Sequence, residues 1–233
     1  MSAQVSMDLE TGIVFTGYND VRISGRSGTL FSLKDDLKTT PKIYYRLRAN
    51  YTLKNRHTFS VLYAPLEVKS EGRVDKDILF NGEVFNVDAD IKGFYKFNSY
   101  RFTYRYNILH RPRLAIGLGV TMKMRDARIR LSNFDKTVDR TSIGLVPLIN
   151  VSMGYRLYDN LSLLIVGDGL FATQGRALDF HLATVYKLTD NFSVRGGYRF
   201  LEGGSDGSSV YGFALFHYAC LGVKYAPKMK KNT

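Results

Sequence analysis

Apolar and polar residues alternate with a period of two along most of this chain. Between residues 43 and 53 the odd-numbered positions are Ile, Tyr, Leu, Ala, Tyr and Leu, and the even-numbered positions from 42 to 52 are Lys, Tyr, Arg, Arg, Asn and Thr. A period of two indicates a β-strand, whose successive side chains point to opposite faces. The pattern predicts an all-β chain of about ten strands, most of them roughly 11 to 17 residues long. The segments lie near 8–18, 43–53, 58–69, 91–108, 114–123, 141–157, 161–172, 177–188, 192–202 and 210–225.

The connections between these segments alternate in length. Compact turns of turn-forming residues occur at 55–57, 110–112, 158–160 and 189–191. The intervening connections are mostly longer and more polar, near 19–41, 70–90, 126–140 and 203–209, with a short one near 173–176. Short turns at one end and long loops at the other are typical of an outer-membrane barrel with periplasmic turns and extracellular loops. We therefore predict a single antiparallel transmembrane β-barrel.

The polar face of the segments indicates which side of the wall faces inward. It combines very small side chains with long cations, a mixture that suits a narrow, filled lumen better than a solvated exterior. Alternation alone also allows a soluble ligand-binding β-barrel with its apolar face inside, which stays an alternative. Examples of the mixture are Ala115, Gly117, Gly119, Ser193, Arg195, Gly197 and Arg199.

Amino-acid composition and charge further narrow the class of protein. No apolar stretch approaches the roughly 18 to 20 residues of a membrane-spanning helix, which excludes a helical membrane protein. The formal charge of +12 raises nucleic acid as a partner, but the cations are spread through strand-like segments and no nucleic-acid motif accompanies them. We expect no nucleic acid, and one domain over 1–233 with flexible ends at 1–7 and 226–233, the latter including Lys228, Lys230 and Lys231.

The end of the chain resembles the closing hairpin of small bacterial outer-membrane proteins. The resemblance lies in Tyr198–Asp206 and Val210–Tyr225, where Gly222, Val223 and Tyr225 look like the C-terminal signal read by the barrel-assembly machinery. It implies a bacterial outer-membrane location and assembly by that machinery. Separately, we expect outer-membrane lipid and lipopolysaccharide as partners, and a monomer. Family members usually stop at the terminal aromatic residue, whereas this chain continues past Tyr225.

Charged residues on the polar face predict a lumen that carries net positive charge. We expect them to form a hydrogen-bonded plug or, alternatively, a narrow anion-preferring path. The predicted function is non-enzymatic, with no cofactor: a small pore for passive transport of small solutes, or a structural surface barrel with partner-binding loops. The lumen set is Arg46, Arg48, Arg101, Arg105, Lys123, Asp168, Arg195 and Arg199; Glu10, Asp179 and Glu202 are further expected acidic partners, and Arg22, Arg26, Lys34 and Lys38 would suit anionic headgroups.

An enzyme is the alternative. Asp88 and Asp90 precede one predicted strand, and Asp179 and His181 lie at the start of another. Each pair shares a face, and together they could activate a water molecule, with the histidine as general base. This resembles the arrangement in omptins, ten-stranded outer-membrane proteases, although the tryptophan that accompanies the omptin acidic pair is missing here. A lipid-modifying hydrolase is a further alternative, and no metal site is predicted from the separated histidines.

Overall fold

The computed structural model describes residues 3–227. Apart from a short 3₁₀ helix at Gly25–Ser27, its regular elements are all strands. They are β1 (Ala3–Ile23), β2 (Phe31–Ser32), β3 (Lys38–Thr39), β4 (Lys42–Leu53), β5 (His57–Ala64), β6 (Glu67–Arg73), β7 (Ile78–Phe80), β8 (Glu83–Phe85), β9 (Asp90–His110), β10 (Leu114–Ser132), β11 (Thr137–Arg156), β12 (Leu161–Ala172), β13 (Gly175–Lys187), β14 (Phe192–Asp206) and β15 (Val210–Tyr225). Within the described residues, no helix is long and apolar enough to cross a membrane.

Ten strands close into one antiparallel barrel. The order around the wall is β1, β4, β5, β9, β10, β11, β12, β13, β14 and β15, and β15 pairs with β1 to close it. The interrupted strand β5 is continued by β6, which pairs with the outer part of β9. Each predicted segment corresponds to one barrel strand, so the predicted fold class is confirmed.

Several predicted boundaries were wrong, because strand pairing continues beyond the apolar alternation. The predicted loop at 126–140 is mostly a β10–β11 hairpin whose ladder reaches Ser132 and Thr137. At the other end, residues 3–7 were expected to be flexible but pair with β4. Ala226 donates its N–H to the Asn191 carbonyl at 2.8 Å. Residues 1–2 and 228–233, which include the basic tail, lie outside the described residues.

The outward face of the wall is apolar. Leu118, Val120, Ile143, Leu145 and Val61 are exposed there. Aromatic residues gather near the short turns, as in the interfacial girdles of membrane barrels. The inside-outside assignment made from the sequence therefore holds, and the barrel is transmembrane. The exposed aromatic residues near the short turns include Tyr51, Tyr155, Tyr158, Tyr186, Phe192 and Tyr225.

The wall is complete in its inner part and incomplete in its outer part. Strands β9, β10 and β11 pair along nearly their whole length. Strand β12 is short, and its ladder with β11 ends at the pair Ile149–Gly169. Residues 137–148 of β11 therefore have partners on β10 but none on β12. Pro147 lies two residues beyond the last pair, in keeping with the confinement of proline to strand edges.

Apolar residues of the long loops form a second core at the outer end, here called the outer loop core. It packs the loop after β1 and the loop between β6 and β9 against the ends of β1, β9 and β10. Phe31 and Phe80 meet there edge to face, with ring centroids 6.1 Å apart. The core consists of Val21, Ile23, Phe31, Leu33, Leu37, Val74, Ile78, Phe80, Phe85, Ile91 and Leu131.

Candidate functional site

A layer of buried ion pairs crosses the barrel at mid-height, and its centre is Asp179. The Asp179 carboxylate accepts hydrogen bonds from Arg46 Nη2 at 3.0 Å and Arg199 Nη1 at 2.5 Å. Arg101 Nη2 lies 2.7 Å from the same carboxylate. Arg46 and Arg101 come from β4 and β9, which are not neighbours of β13 in the wall. These contacts therefore span the lumen instead of following the sheet.

The other two carboxylates of this layer are equally well satisfied. Glu10 accepts from Arg199 Nε at 3.0 Å, from Arg199 Nη2 at 2.9 Å and from Arg195 Nη2 at 2.9 Å. Asp168 accepts from Arg101 Nη1 and Thr121 Oγ1, both at 2.8 Å. Buried carboxylates are stable only with such charge-assisted partners. We call Glu10, Arg46, Arg101, Asp168, Asp179 and Arg199 the ionic layer.

The ionic layer separates two cavities. Every barrel strand places at least one buried side chain near this level. The cavity on the short-turn side has a volume of about 380 Å³ and the one on the long-loop side about 600 Å³. They share no lining residue. The buried side chains near this level are Glu10, Tyr44, Arg46, Ser60, Leu62, Arg101, Thr103, Thr121, Asn150, Asp168, Asp179, His181, Arg199 and Tyr218.

The cavity on the short-turn side, here called the inner cavity, is polar and cationic. Asp8 and Arg195 form a bidentate pair there, with Arg195 Nη2 2.7 Å from Asp8 Oδ1. Arg48, Arg105 and Lys224 also line it, and none of the three forms an ion pair with a described residue. The inner cavity therefore carries net positive charge, which is the sign of charge that the sequence predicted for the lumen.

The cavity on the long-loop side, here called the outer cavity, has largely apolar walls. Tyr95, Phe97, Leu201 and Phe216 form part of its lining. Lys123 is 3% exposed, and its Nζ lies 4.5 Å from the centroid of the Phe97 ring. Of the residues predicted to line the lumen, Arg46, Arg101, Asp168 and Arg199 form the ionic layer, Arg195 bonds to it, Arg48 and Arg105 line the inner cavity, and Lys123 lines the outer cavity.

A possible metal-ligand group lies beside the ionic layer. One ligand atom from each of Glu10, His181 and Cys220 lies within 4.8 Å of the others, and all three residues are buried. The sequence did not indicate this group, because its members are distant in the chain. Arg46, Arg195 and Arg199 all approach Glu10, so their positive charge opposes a bound cation. The group therefore fits a structural role.

The four residues of the enzyme hypothesis do not come together. Asp179 and His181 are buried beside the ionic layer, whereas Asp90 is exposed and lies 3.7 Å from Arg73 Nε. Arg101, which contacts Asp179, lies eleven residues further along β9 than Asp90. That is about 35 Å of strand at roughly 3.3 Å per residue. Asp88 is in the loop just before Asp90, so the structure does not bring the four residues of the water-activating arrangement together. The sequence placed β9 and β13 correctly but could not set their relative height.

The structure also corrects the predicted orientation of the Glu202 side chain. It was expected to face the lumen, but its cross-strand neighbours Leu178 and Leu215 lie on the outward face. Its Oε1 accepts from Tyr18 Oη at 2.5 Å and from Arg176 Nε at 2.8 Å. The register shift of β1 between Thr16 and Tyr18 turns Tyr18 toward this outward cluster. Such a bulge cannot be read from the alternation of the sequence.

Comparison with known proteins identifies the fold. No family model matches the chain, and no curated protein matches it in sequence. Among solved structures, the outer-membrane protease OmpT of Escherichia coli is 10% identical over 97% of this chain and 99% of that chain, with a TM-score of 0.60. Ail of Yersinia pestis is 12% identical over 96% of this chain and 99% of that chain, with a TM-score of 0.46. Neisserial surface protein A is 15% identical over 98% of this chain and 100% of that chain, with a TM-score of 0.37. At these identities the similarity concerns the fold alone, and this chain has the outer-membrane β-barrel fold.

Proposed function

We propose that this protein is a non-enzymatic barrel of the bacterial outer membrane that is closed at mid-height and contacts the anionic cell surface through its ordered outer loops. The observation that carries the proposal is the ionic layer, because its ion pairs cross the lumen between two cavities that share no lining residue. A pore for small solutes would need a continuous polar path. Here, opening such a path requires breaking several buried charge pairs, each of which is costly to separate.

The outer loops support the surface role. The outer loop core gives the two long loops a fixed conformation, so they form a defined surface without a partner. Arg26 and Lys38 are exposed on these loops. Arg22 is half-buried instead, with its guanidinium carbon 5.4 Å from the centroid of the Tyr211 ring. Cations at this height would attract the phosphate groups of lipopolysaccharide.

The non-enzymatic part rests on how Asp179 and His181 are used. Asp179 is bonded to three guanidinium groups, and the described residues provide His181 with no second carboxylate pair. Both side chains are therefore committed to packing and charge balance. Hydrolysis of a fluorogenic peptide or lipid ester by the refolded barrel, abolished in Asp179→Asn, would contradict this part.

Conductance in planar bilayers tests the closed lumen. We expect no steady channel from the wild-type barrel. The double variant Arg101→Ser with Asp168→Asn removes this ion pair of the ionic layer and should increase brief openings, whereas Glu83→Gln on the outer surface should not. A stable, ohmic channel of the wild type would refute the closed lumen and support the pore hypothesis instead.

Binding to lipopolysaccharide-containing vesicles tests the surface role. The double variant Arg26→Gln with Lys38→Gln should bind more weakly, by about 1 kcal/mol per cation at low salt. Lys54→Gln, at a short turn on the opposite end, is the matched control. Equal binding of both variants and the wild type would exclude these loops as the contact.

A further inference from the structure

The outer cavity is not closed by the barrel wall on one side. Residues 137–148 of β11 lack partners on β12, and the cavity is lined on one side of this gap by Val146 and Pro147 and on the other by Leu170 and Ala177. Leu145 and Pro147 point to the outward face of β11 and still line the cavity. The cavity therefore continues around the edge of β11 toward the exterior of the barrel.

The inner end of the gap, at Leu145 and Pro147, lies within the membrane. The outward side chains of β11 are apolar from Ile143 to Tyr155, and Tyr155 belongs to the aromatic residues near the short turns. Pro147 and Leu145 lie eight and ten residues beyond Tyr155. With strands tilted by about 35–45°, that places them roughly 20–25 Å above Tyr155, in the outer part of an apolar band about 25 Å tall. The opening therefore faces the acyl chains of the outer leaflet.

The inward side chains beside the gap are cationic. Lys123, Arg125 and Arg140 line the outer cavity, and none of them forms an ion pair with any residue that the structure describes. Lys123 is almost fully buried, and its Nζ lies over the Phe97 ring, 4.5 Å from the ring centroid. The Nε atom of Arg125 is buried without a hydrogen-bond partner. An anion beside Lys123 and Arg125 would stabilise their charged forms, and the one carboxylate of the described lining, Glu202, points outward and is bonded to Arg176.

We propose that the outer cavity binds a single-chain anionic amphiphile that enters sideways from the outer leaflet through the gap between β11 and β12. Its carboxylate or phosphate head meets Lys123 and Arg125, and its acyl chain lies against Val146 and Leu170 and extends through the gap. The volume of about 600 Å³ is in the range of small-molecule sites, roughly 300–1,000 Å³. This site is separate from the closed lumen of the proposed function, because the ionic layer lies below it.

Native mass spectrometry of the barrel refolded in a neutral maltoside detergent tests the proposal, with dodecyl phosphate as the probe. We expect one molecule bound per barrel. Dodecanol, which has the same chain without charge, and inorganic phosphate, which has the same head without a chain, should each compete weakly. Lys123→Gln should lower the affinity about tenfold or more, since hydrogen bonds to charged groups contribute about 1.5–3 kcal/mol.

The matched control is Lys224→Gln, which removes a cation from the inner cavity. It should leave the affinity unchanged. Ala127→Trp, which fills the outer cavity from β10, should abolish binding and provides a second variant if Lys123→Gln does not fold. Folding of each variant is checked by its gel mobility before and after boiling.

A photoreactive group on the last carbon of the dodecyl chain locates the bound chain. Cross-links to β11 near Pro147 and to β12 near Leu170 are expected. No adduct with the wild type, equal binding of dodecanol, an effect of Lys224→Gln equal to that of Lys123→Gln, or cross-links confined to the inner cavity would each overturn the proposal.

Discussion

The inner and outer halves of the lumen are built from the same ten strands but differ in how they are closed. At the ionic layer every strand has two neighbours, and the carboxylates Glu10, Asp168 and Asp179 are matched by arginines. In the outer half β11 loses its partner, and Lys123, Arg125 and Arg140 face no free carboxylate of the described structure. The ionic layer thus combines a complete wall with matched charge, and both are missing beside the gap in the outer half. The inner cavity is intermediate, because its wall is complete while Arg48, Arg105 and Lys224 form no ion pair with a described residue.

The largest expected effect comes from removing the central carboxylate of the ionic layer. Asp179→Ala leaves three guanidinium groups without their shared partner, which should cost about 3–5 kcal/mol of unfolding free energy. Denaturant unfolding of the refolded barrel, followed by tyrosine fluorescence and gel mobility, measures it. Asp159→Ala, at an exposed short turn, is the control. A loss below about 1 kcal/mol would mean that the layer is solvated and that the two halves differ less than described.

A destabilising substitution in the outer loop core should unfold the long loops without unfolding the barrel. Phe80→Ala removes a fully buried ring of the outer loop core, at a cost of about 3–5 kcal/mol to the packing of the loops. Because the barrel ladder does not depend on this core, the loops should open while the barrel stays folded. Limited proteolysis of the long loops checks this, with the fully exposed Phe134→Ala as control. Loss of the heat-modifiable barrel form would show that the two halves fold as one unit.

Arginine placed on the outward face of β11 tests the depth of the wall gap. Val151→Arg, near mid-height, should cost about 2–4 kcal/mol, and Leu145→Arg, beside the gap, should cost less but more than zero. The difference in unfolding free energy in lipid bilayers measures the depth. Equal and negligible costs at both positions would place the gap outside the membrane. Thr141→Arg, further along the same outward face of β11, is the reference variant.

The smallest effect is expected at the surface of the outer half. Lys136 Nζ lies 2.9 Å from Glu83 Oε2, and both side chains are partly exposed. Glu83→Ala should change unfolding by about 0–1 kcal/mol, in contrast to the buried pairs of the ionic layer. Chemical denaturation with and without high salt measures it. A loss of unfolding free energy close to that of Asp179→Ala would contradict the expected difference between surface and buried ion pairs.

Much of the architecture could be predicted because each strand carries its own local signal. Alternation at 43–53 and 114–123 placed β4 and the inner part of β10, and turn residues at 158–160 placed the β11–β12 connection. The lumen-facing positions of Arg101 and Arg199 followed from the same alternation. Glu202 was misplaced although it lies three residues beyond the inward-facing Arg199, so the alternation of β14 itself sends position 202 to the outward face. The ends of β10 and β11 were missed because backbone pairing continues where the apolar pattern stops.

The candidate site was less predictable, since it depends on relative heights across the lumen. Asp90 and Asp179 were grouped from the order of loops in the chain, but the length of β9 separates them. Cys220 and His181 are distant in the chain, yet β13 and β15 bring them close together. The gap beside Pro147 also had no local signal beyond the proline itself, because it results from the difference in length between β11 and β12.

The sequence by itself determined the class of fold, the number of strands, the end that carries the long loops and the positive charge of the lumen. These properties are sums of local preferences: period-two alternation, turn residues and charge at alternate positions. The tertiary structure alone decided which charges meet, where the lumen closes and where the wall opens. Those properties depend on register, bulges and strand height, which are set by the pairing of strands distant in the chain.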